Sequence, residues 1–229
     1  MKVIILAGGK GTRLPVSAKN IPKPLVRINE KTLLDYQIAL LEKHGFSDIR
    51  FSLGYMADKI INYLKANYSN RYEWVVEEDR LGTGGALKLA SQDLKEDFLA
   101  FNVDDFPKLD YQSFVNFHNN HEIENTIAIY KIDDARDFGL VKHQEGLIEE
   151  FLEKPKEQVG GWINTGFYVL SPDVFDNFPQ TSFSIEKDVF PHLAKKGKLA
   201  CYQEIEHWFT TGTEERLRKA ADFLINLFD

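Results

Sequence analysis

Two cationic side chains frame a glycine-rich loop near the start of the chain. The loop runs Leu6-Ala7-Gly8-Gly9-Lys10-Gly11-Thr12-Arg13 and directly follows an apolar segment. Glycines at such a place let backbone N–H groups approach an anion closely. Arg13 closes the loop, and Lys23 stands between two prolines that restrict the backbone. Two cations beside this loop suit a polyphosphate, although the spacing matches neither a Walker A loop nor a dinucleotide fingerprint.

A carboxylate ends a second apolar segment. Asp104 follows residues 98–103, which we predict to be a strand, so it is expected at the carboxyl edge of the sheet. That position suits a Mg²⁺ ligand that also approaches a phosphate group. Asp105 is expected to point to the opposite side if the strand continues, and we treat it as a helper only.

The segments that must position these residues alternate between strand and helix patterns up to about residue 120. A buried strand is predicted over 2–6, and a helix begins at Leu33 with an approximate capping box from Thr32 to Asp35. Further strands are predicted over 48–53, 73–77, 98–103, 126–132, 140–143, 147–152 and 162–170, and helices over 57–67, 85–91, 172–177, 186–195 and 213–227. The alternation predicts an α/β fold with a Rossmann-like, mixed but mostly parallel sheet flanked by helices.

The composition excludes several classes of function. A net charge of −7 argues against a broad nucleic-acid footprint, and no run of about 18 apolar residues is present to span a membrane. The single cysteine, Cys201, forms no internal disulfide, so we expect a cytoplasmic protein.

His118 and His121 are spaced as one helix face, which we interpret as exposed and polar. The closing helix carries an apolar stripe that is expected to pack on the core, namely Leu217, Ala221, Leu224 and Phe228.

Ordered motifs along the chain resemble those of the sugar-1-phosphate nucleotidyltransferases, the nucleotide-sugar pyrophosphorylases. Besides the opening loop and Pro22-Lys23-Pro24-Leu25, they are Leu81-Gly82-Thr83-Gly84-Gly85-Ala86, Asn102-Val103-Asp104, Phe138-Gly139-Leu140-Val141, Phe151-Leu152-Glu153-Lys154-Pro155, Asn164-Thr165-Gly166-Phe167-Tyr168 and Gly212-Thr213-Glu214-Glu215-Arg216-Leu217. The resemblance implies the nucleotide-diphospho-sugar transferase fold. It also implies a Mg²⁺-dependent reaction in which an NTP and a sugar 1-phosphate give an NDP-sugar and pyrophosphate.

No Pro/Gly/Ser-rich linker separates the two halves of the chain, so we expect one domain, 1–229, with two lobes, and the resemblance implies roles for individual residues in them. Residues 1–120 are expected to form the nucleotide-binding lobe, and residues 121–229 the sugar-phosphate lobe with the closing helix. The implied catalytic residues are Arg13, Lys23, Asp104 and Lys154, and Asp104 is the implied metal ligand. The implied nucleotide contacts are Leu6, Ala7, Gly8, Gly9, Gly11, Thr12, Gly82, Thr83 and Gly84. The implied sugar contacts are Gly139, Glu153, Asn164 and Thr165.

One position departs from the family pattern. Before the closing helix the family has Trp-x-Asp-x-Gly-Thr, whereas this chain has Trp208-Phe209-Thr210-Thr211-Gly212-Thr213. Thr210 therefore stands where the second metal-binding carboxylate is expected, and a neutral hydroxyl is a weaker Mg²⁺ ligand. The metal is then expected to rest on Asp104, substrate phosphates and water, with Asp105 or Glu206 as candidates to compensate.

The base and the sugar stay open at this stage. The motif around Gly82 favours GTP with a mannose- or heptose-type 1-phosphate, and the absence of chain beyond the closing helix resembles the short single-domain members, which also include enzymes for N-acetylmuramate-type substrates. Alternatives are a UTP- or dTTP-dependent enzyme of the same kind, a cytidylyltransferase for phosphocholine, and a regulatory subunit that binds a nucleotide-sugar and has lost turnover through Thr210. A homo-oligomer is also left open.

Overall fold

A nine-stranded mixed sheet runs through the molecule in the computed structural model, which describes residues 1–11 and 20–227. The strands are β1 (Val3–Leu6), β2 (Arg27–Ile28), β3 (Lys31–Thr32), β4 (Ile49–Leu53), β5 (Glu73–Val76), β6 (Phe98–Asn102), β7 (Asp105–Lys108), β8 (Thr126–Ile132), β9 (Gly139–Gln144), β10 (Leu147–Glu153), β11 (Gly161–Leu170), β12 (Ala200–Tyr202) and β13 (His207–Thr210). The helices are α1 (Leu33–Lys43), α2 (Ala57–Tyr68), α3 (Gly82–Ser91), α4 (Tyr111–Asn119), α5 (Phe190–Lys195) and α6 (Glu214–Asn226). Short 3₁₀ turns occur at Lys23–Leu25 and Pro172–Phe175, and a π-helical turn at Ile185–Val189 leads into α5.

The strand order of the large sheet is β5-β4-β1-β6-β11-β8-β12-β10-β9. β1 lies between β4 and β6 and is parallel to both, and Val3, Ile4 and Ile5 are fully buried. This confirms the predicted α/β fold and its central first strand. Parallel pairing in the described chain is confined to the β5-β4-β1-β6 half and the β12–β8 pair, and is therefore less extensive than predicted.

Helices cover both faces of the sheet, so its two sides form separate apolar clusters. One cluster packs α1, α2 and α4 against the sheet, with residues such as Ile38, Ile60 and Phe114. The other packs α3 and α5 against the opposite face, with residues such as Leu87 and Phe190. The sheet is thus buried on both faces, as its long apolar strands require.

α1 begins where the capping box was predicted. The Asp35 backbone N–H donates to Thr32 Oγ1 at 3.1 Å, and the Thr32 backbone N–H donates to Asp35 Oδ2 at 2.8 Å. α6 also forms as predicted, but its buried side is formed by Ala220 and Leu224, with Leu227 buried directly after the helix, while Leu217 and Ala221 are only partly buried. Phe228, the last member of the predicted stripe, lies outside the described residues.

Several elements were not predicted, and one of them corrects the interpretation of a histidine. His118 lies on α4 and is only 4% exposed. Its Nδ1 is 2.8 Å from Thr126 Oγ1 and its Nε2 is 3.0 Å from an Asp97 carboxylate oxygen. The expectation of an exposed polar face was therefore wrong for His118, because α4 turns this face toward β8 and the hydrogen bonds satisfy the buried ring.

A small second sheet carries part of the site. β7 and β13 pair antiparallel with Asp105 opposite Thr210. Because β7 starts directly after Asp104, this pairing brings β13 to the carboxyl edge of β6.

In the described chain no helix is both long and apolar enough to cross a membrane.

Candidate active site

A cavity of about 650 Å³ opens at the carboxyl ends of β1, β4, β5 and β6. Nine of the predicted nucleotide and catalytic residues line it, namely Leu6, Ala7, Gly8, Gly9, Gly11, Lys23, Gly82, Thr83 and Asp104. Parallel strands present their carboxyl ends to ligands at such an edge. Thr12 and Arg13, which were also predicted to bind the nucleotide, lie outside the described residues.

Lys23 and Asp104 form a direct ion pair beside the glycine loop. The Lys23 ammonium contacts Asp104 Oδ2, and both side chains are largely buried, with 12% and 21% of their surface exposed. The 3₁₀ turn at Lys23–Leu25 presents the lysine, and the end of β6 presents the aspartate. The two predicted catalytic groups are thus brought together although 81 residues separate them.

Thr210 lies beside the same carboxylate. Its Oγ1 is 3.5 Å from Asp104 Oδ2, and the Thr211 backbone N–H donates to the Asp104 carbonyl at 2.9 Å. β13 therefore delivers a hydroxyl to the place where the family pattern carries its second acidic residue. Glu206 pairs with Lys108 instead, at 3.3 Å.

Asp105 points away from the cavity into the protein. Its Oδ2 accepts a hydrogen bond from Asn102 Nδ2 at 2.9 Å, and Thr210 also hydrogen-bonds to it. Burial, together with the neighbouring Asp104 carboxylate, raises the pKa of Asp105 well above its ordinary value. Gly166, with φ of +78°, packs against this carboxyl group so closely that a Cβ there would overlap it.

Residues that the sequence analysis missed complete the cavity wall. Ser52 lies in β4, Gly54 and Tyr55 follow that strand, and residues 77–80 follow β5. Glu77 is fixed by its backbone surroundings, because its Oε2 accepts the Leu81 N–H at 3.0 Å. These residues were predictable from the rule that ligands bind at the carboxyl ends of parallel strands.

Gly84 is a correction to the predicted nucleotide contacts. It is buried, is not among the cavity-lining residues, and donates its backbone N–H to the Phe183 carbonyl at 3.0 Å. A Cβ on Gly84 would overlap the Phe183 ring. This glycine therefore permits close packing of two segments instead of contact with a base.

On the side of the predicted sugar lobe, β9 and β10 bring three predicted residues together. Gly139 pairs with Glu153, and a Cβ on Gly139 would lie 3.2 Å from Glu153 Oε2. Glu153 is largely buried and lies 3.2 Å from the Lys154 ammonium. Burial, followed by the neighbouring Glu186 carboxylate, raises the pKa of Glu153 above its ordinary value. Lys154 has a φ of +51°, in the left-handed region that non-glycine residues adopt uncommonly.

Asn164 and Thr165 are directed into the protein. Thr165 is fully buried and donates its hydroxyl to the Ala128 carbonyl at 2.8 Å, which corrects its predicted role as a sugar contact. Asn164 donates to the Tyr168 hydroxyl at 3.0 Å and accepts the Gly166 N–H at 3.0 Å. These bonds stabilise the irregularity in β11 between Asn164 and Tyr168.

The oxygen-bearing side chains at the cavity decide whether a divalent cation fits there. No group of three or more His, Cys, Asp or Glu side chains in the described residues is arranged to hold a metal ion. Mg²⁺, however, is commonly bound through one or two carboxylates, with water and substrate phosphates completing its shell. Asp104, which faces the cavity with the Thr210 hydroxyl beside it, fits an ion of that kind.

Curated proteins that resemble this chain include mannose-1-phosphate guanyltransferases. The mannose-1-phosphate guanyltransferase of Saccharomyces cerevisiae is 35% identical over 221 residues, and that of Candida albicans is 36% identical over 222 residues. Each alignment covers 93% of this chain and 61% of the relative. The chain therefore spans about three fifths of the length of these proteins.

Solved structures agree on the fold. HddC from Yersinia pseudotuberculosis, complexed with GMP-PN, superposes with a TM-score of 0.84 at 31% identity, covering 97% of this chain and 98% of HddC. A putative glucose-1-phosphate thymidylyltransferase from Bacillus anthracis superposes with a TM-score of 0.86 at 24% identity, covering 98% and 95% of the two chains, and supports the fold alone. A family model described as nucleotidyl transferase matches residues 2–226. The chain therefore belongs to the nucleotidyl transferase family.

Proposed function

We propose that this chain transfers a guanylyl group from GTP to a mannose- or heptose-type sugar 1-phosphate in the cytoplasm, and releases pyrophosphate. The observation that carries the proposal is the Lys23–Asp104 pair beside the glycine loop of the cavity. A cation for phosphates and a carboxylate for a metal ion are the two groups that nucleotidyl transfer needs. The similarity to mannose-1-phosphate guanyltransferases and to HddC, which was solved with GMP-PN, supports the choice of base and sugar.

The reaction requires positioning and charge neutralisation and no covalent intermediate. An oxygen of the sugar phosphate attacks the α-phosphorus of GTP, and the bond from that phosphorus to the bridging oxygen breaks, so that pyrophosphate leaves with its electron pair. Lys23 and Arg13 hold the triphosphate and the departing pyrophosphate. Lys154 neutralises the incoming sugar phosphate, which otherwise approaches an anionic centre.

Mg²⁺ is the proposed cofactor, held by Asp104 and by phosphate oxygens of the substrate, with the Thr210 hydroxyl beside it. When bound, the ion withdraws charge from the α-phosphate. Asp105 is turned inward, where its carboxyl group accepts a hydrogen bond from Asn102 and lies opposite Thr210, so we assign it a structural role and not that of a ligand.

Glu77 supports guanine as the base. Its Oε2 is held by the Leu81 N–H, and its Oε1 lies on the Gly8 side of the cavity, 3.3 Å from where a Gly8 Cβ would be. Guanine presents neighbouring N–H donors at N1 and N2, which a carboxylate accepts together. Uracil and thymine present one N3–H between two carbonyl oxygens, and cytosine presents its amino group beside the unprotonated N3, so none of these bases offers two neighbouring donors to a carboxylate.

The sugar 1-phosphate is expected on the other side of Asp104, between the ends of β9 and β10. Gly139, Glu153 and Lys154 are the residues we assign to it there, and Glu153 accepts sugar hydroxyls. Residues 1–120 thus supply most of the nucleotide side, and residues 121–229 most of the sugar side.

The direct test is pyrophosphate release from each common NTP in combination with mannose-, heptose-, glucose- and N-acetylhexosamine-type 1-phosphates, with Mg²⁺ and with chelator. We expect turnover with GTP and a mannose or heptose 1-phosphate, and its loss in chelator. Turnover with UTP, dTTP or CTP instead would reject the proposed base. No turnover by a folded protein that still binds nucleotide would favour a regulatory subunit weakened at Thr210.

A further inference from the structure

A segment from the second half of the chain docks onto the nucleotide side of the cavity. We define residues 181–186 as the docking segment. It lies against the start of α3, where the Phe183 backbone N–H donates to the Leu81 carbonyl at 2.9 Å. In return the Phe183 carbonyl accepts N–H groups of Gly84 and Gly85 at 3.0 and 3.3 Å.

Glycines make this approach possible. A Cβ on Gly84 would overlap the Phe183 ring, and a Cβ on Gly85 would overlap the Thr181 carbonyl oxygen. The glycines of this motif therefore serve to admit the docking segment beneath the cavity wall.

The docking segment ends in a carboxylate that holds a residue of the wall. Thr83, which lines the cavity, donates its hydroxyl to Glu186 Oε2 at 2.6 Å and accepts the Ile185 N–H at 3.0 Å. The Ser184 hydroxyl donates to the same Glu186 oxygen at 2.6 Å. Both hydrogen-bonding directions of the Thr83 hydroxyl are used, so its side chain is fixed in one orientation.

Glu186 also lies near the residues assigned to the sugar, because the π-helical turn that carries it packs against β10, the strand that ends at Glu153. It lies in the π-helical turn that precedes α5, and π-helical turns occur frequently at functional sites. It is close enough to Glu153 to contribute, after burial, to the raised pKa of that carboxyl group. One side chain therefore lies between the wall of the nucleotide cavity and the predicted sugar site.

We propose that Glu186 is a positioning residue for this reaction, which holds Thr83 and the turn at Gly82 in place for the nucleotide while its charge lies near Glu153 on the sugar side. The inference rests on the proposed function, because it assigns the cavity to the nucleotide and Glu153 to the sugar. It adds a residue to the site without assigning it any contact with the reacting atoms.

The test measures nucleotide binding and steady-state kinetics separately. Calorimetric titration with GTP and Mg²⁺ is applied to the wild type, Glu186→Ala, Glu186→Gln, Thr83→Val and the double variant Thr83→Val/Glu186→Ala. Because hydrogen bonds to a charged group are worth about 1.5–3 kcal/mol, we expect Glu186→Ala to raise the Kd for GTP about tenfold or more. Thr83→Val should do the same, and the double variant should be no worse than either single variant, because both remove one interaction.

Conservative and control variants separate this role from general loss of stability. Glu186→Gln keeps an acceptor for both hydroxyl groups and is expected to restore the GTP affinity to within about threefold of the wild type. Glu186→Ala should also raise the KM for the sugar 1-phosphate, whereas Thr83→Val should not. Ser182→Ala is the matched control, because the Ser182 hydroxyl donates to the Arg80 carbonyl in the same interface without contacting Glu186.

The possible outcomes distinguish the two proposals. Suppose that the wild type binds GTP and turns over, and that a folded Glu186→Ala variant binds GTP with unchanged affinity. That result overturns the role of Glu186 and leaves the proposed function intact. Additive effects in the double variant overturn it as well. If Glu186→Ala fails to fold, Glu186→Gln and Thr83→Val carry the test. A folded wild type that binds no GTP contradicts the proposed function itself.

Discussion

Glu77 is the residue through which the base preference is most directly testable. Replacing Glu77 with Gln keeps the shape of the side chain but exchanges one acceptor for a donor, which opposes the donors of guanine. A bidentate base contact is worth about 1–3 kcal/mol of discrimination, so kcat/KM for GTP should fall about ten- to a hundredfold. In the same variant, kcat/KM for UTP and for CTP should fall less than kcat/KM for GTP, or should rise.

Competition assays with mixed NTPs measure this preference directly. Glu78→Gln is the control, because Glu78 also lines the cavity but is exposed. An unchanged preference for GTP in Glu77→Gln would remove this residue from base recognition.

Thr210 allows the metal site to be tested without removing a residue from it. Thr210→Asp places a second carboxylate beside Asp104, whose Oδ2 is 3.5 Å from the present hydroxyl, and opposite Asp105. Like charges so close repel, so the Tm in chelator should fall relative to the wild type. Mg²⁺ should reverse that loss, and the Mg²⁺ concentration for half-maximal activity should fall about tenfold, as expected when a second carboxylate joins the shell.

Thr210→Asn supplies the same shape without the charge. It should therefore neither lower the Tm in chelator nor lower the Mg²⁺ concentration for half-maximal activity. Thermal unfolding with and without Mg²⁺ gives a readout that does not depend on turnover. A Thr210→Asp protein whose Tm does not respond to Mg²⁺ would place the ion elsewhere.

At the residue scale, sequence reasoning succeeded where a motif fixes both a side chain and its backbone. Lys23 and Asp104 were expected at one site, and the structure brings them into contact. Thr165 and Gly84 were assigned to ligands but face other protein segments. The contacts of these two residues are made with strands and loops that are distant in the sequence. Local sequence patterns do not describe such contacts.

Asp35 joins two helices, and its contribution to stability should depend on pH. Besides capping α1, it accepts hydrogen bonds from the hydroxyls of Tyr63 and Tyr68 on α2, both at 2.7 Å. Burial alone would raise the pKa of Asp35, but the bonds from Tyr63, Thr32 and Tyr68 outweigh it and lower the pKa. A carboxylate with a lowered pKa stabilises the folded state above its unfolded pKa of about 3.9, and this contribution is lost as the pH falls through the folded value.

Asp35→Ala should therefore reduce the free energy of unfolding by at least about 1 kcal/mol at neutral pH, the typical value for a lost helix cap. The difference from the wild type should shrink as the pH is lowered below about 4. Urea denaturation at several pH values measures it. Asp58→Ala, an exposed change in the first turn of α2, is the control. A difference that stays constant into acid would contradict the role of the charge.

At the element scale, two of the missed elements, β7 and β13, share a physical cause. β7 and β13 are each four residues long, and β7 contains Pro107, which cannot donate to a ladder hydrogen bond. Their pairing joins positions about a hundred residues apart and is stabilised by the partner strand, not by local propensity. The long strands and α1, whose periodicity and capping are local, were predicted within one or two residues at each end.

Arg50 connects several parts of the sheet at the scale of the whole molecule. It is buried in β4, its Nε donates to Glu73 of β5 at 2.9 Å, and its guanidinium reaches Asp93 and the Ala90 carbonyl at the end of α3. The hydrogen bonds that Arg50 donates to the Asp93 and Glu73 carboxylates outweigh burial and raise the pKa of Arg50, so it stays charged at all relevant pH values. This residue fixes the outer strand β5 and α3, which both carry residues of the cavity wall.

Arg50→Ala leaves the Ala90 carbonyl and the Asp93 carboxylate without this partner, whereas Glu73 keeps its ion pair with Lys2 at 3.1 Å. Because Glu73 and Asp93 are more than half exposed and remain hydrated, the expected loss is about 2 kcal/mol, below the range for a fully buried pair. That corresponds to a decrease in Tm of about 4–8 °C for a domain of this size. Calorimetry measures the change, and Arg136→Ala, which breaks the exposed pair with Asp134, should leave the Tm unchanged. A loss no larger than that of the control would show that Arg50 acts only through its charge on the surface.

The docking segment has a consequence for how the protein assembles during synthesis. Thr83 and Glu186 are 103 residues apart in the sequence, and the chain emerges from the ribosome N-terminal end first. A nascent chain that has not yet reached Phe183 exposes the glycines of the motif to water and has no partner for the Thr83 hydroxyl. Closure of this long loop must precede a finished nucleotide pocket. We therefore expect a nascent chain to bind nucleotide weakly until residues 181–186 have emerged and docked, so tight nucleotide binding marks a chain in which this contact has formed.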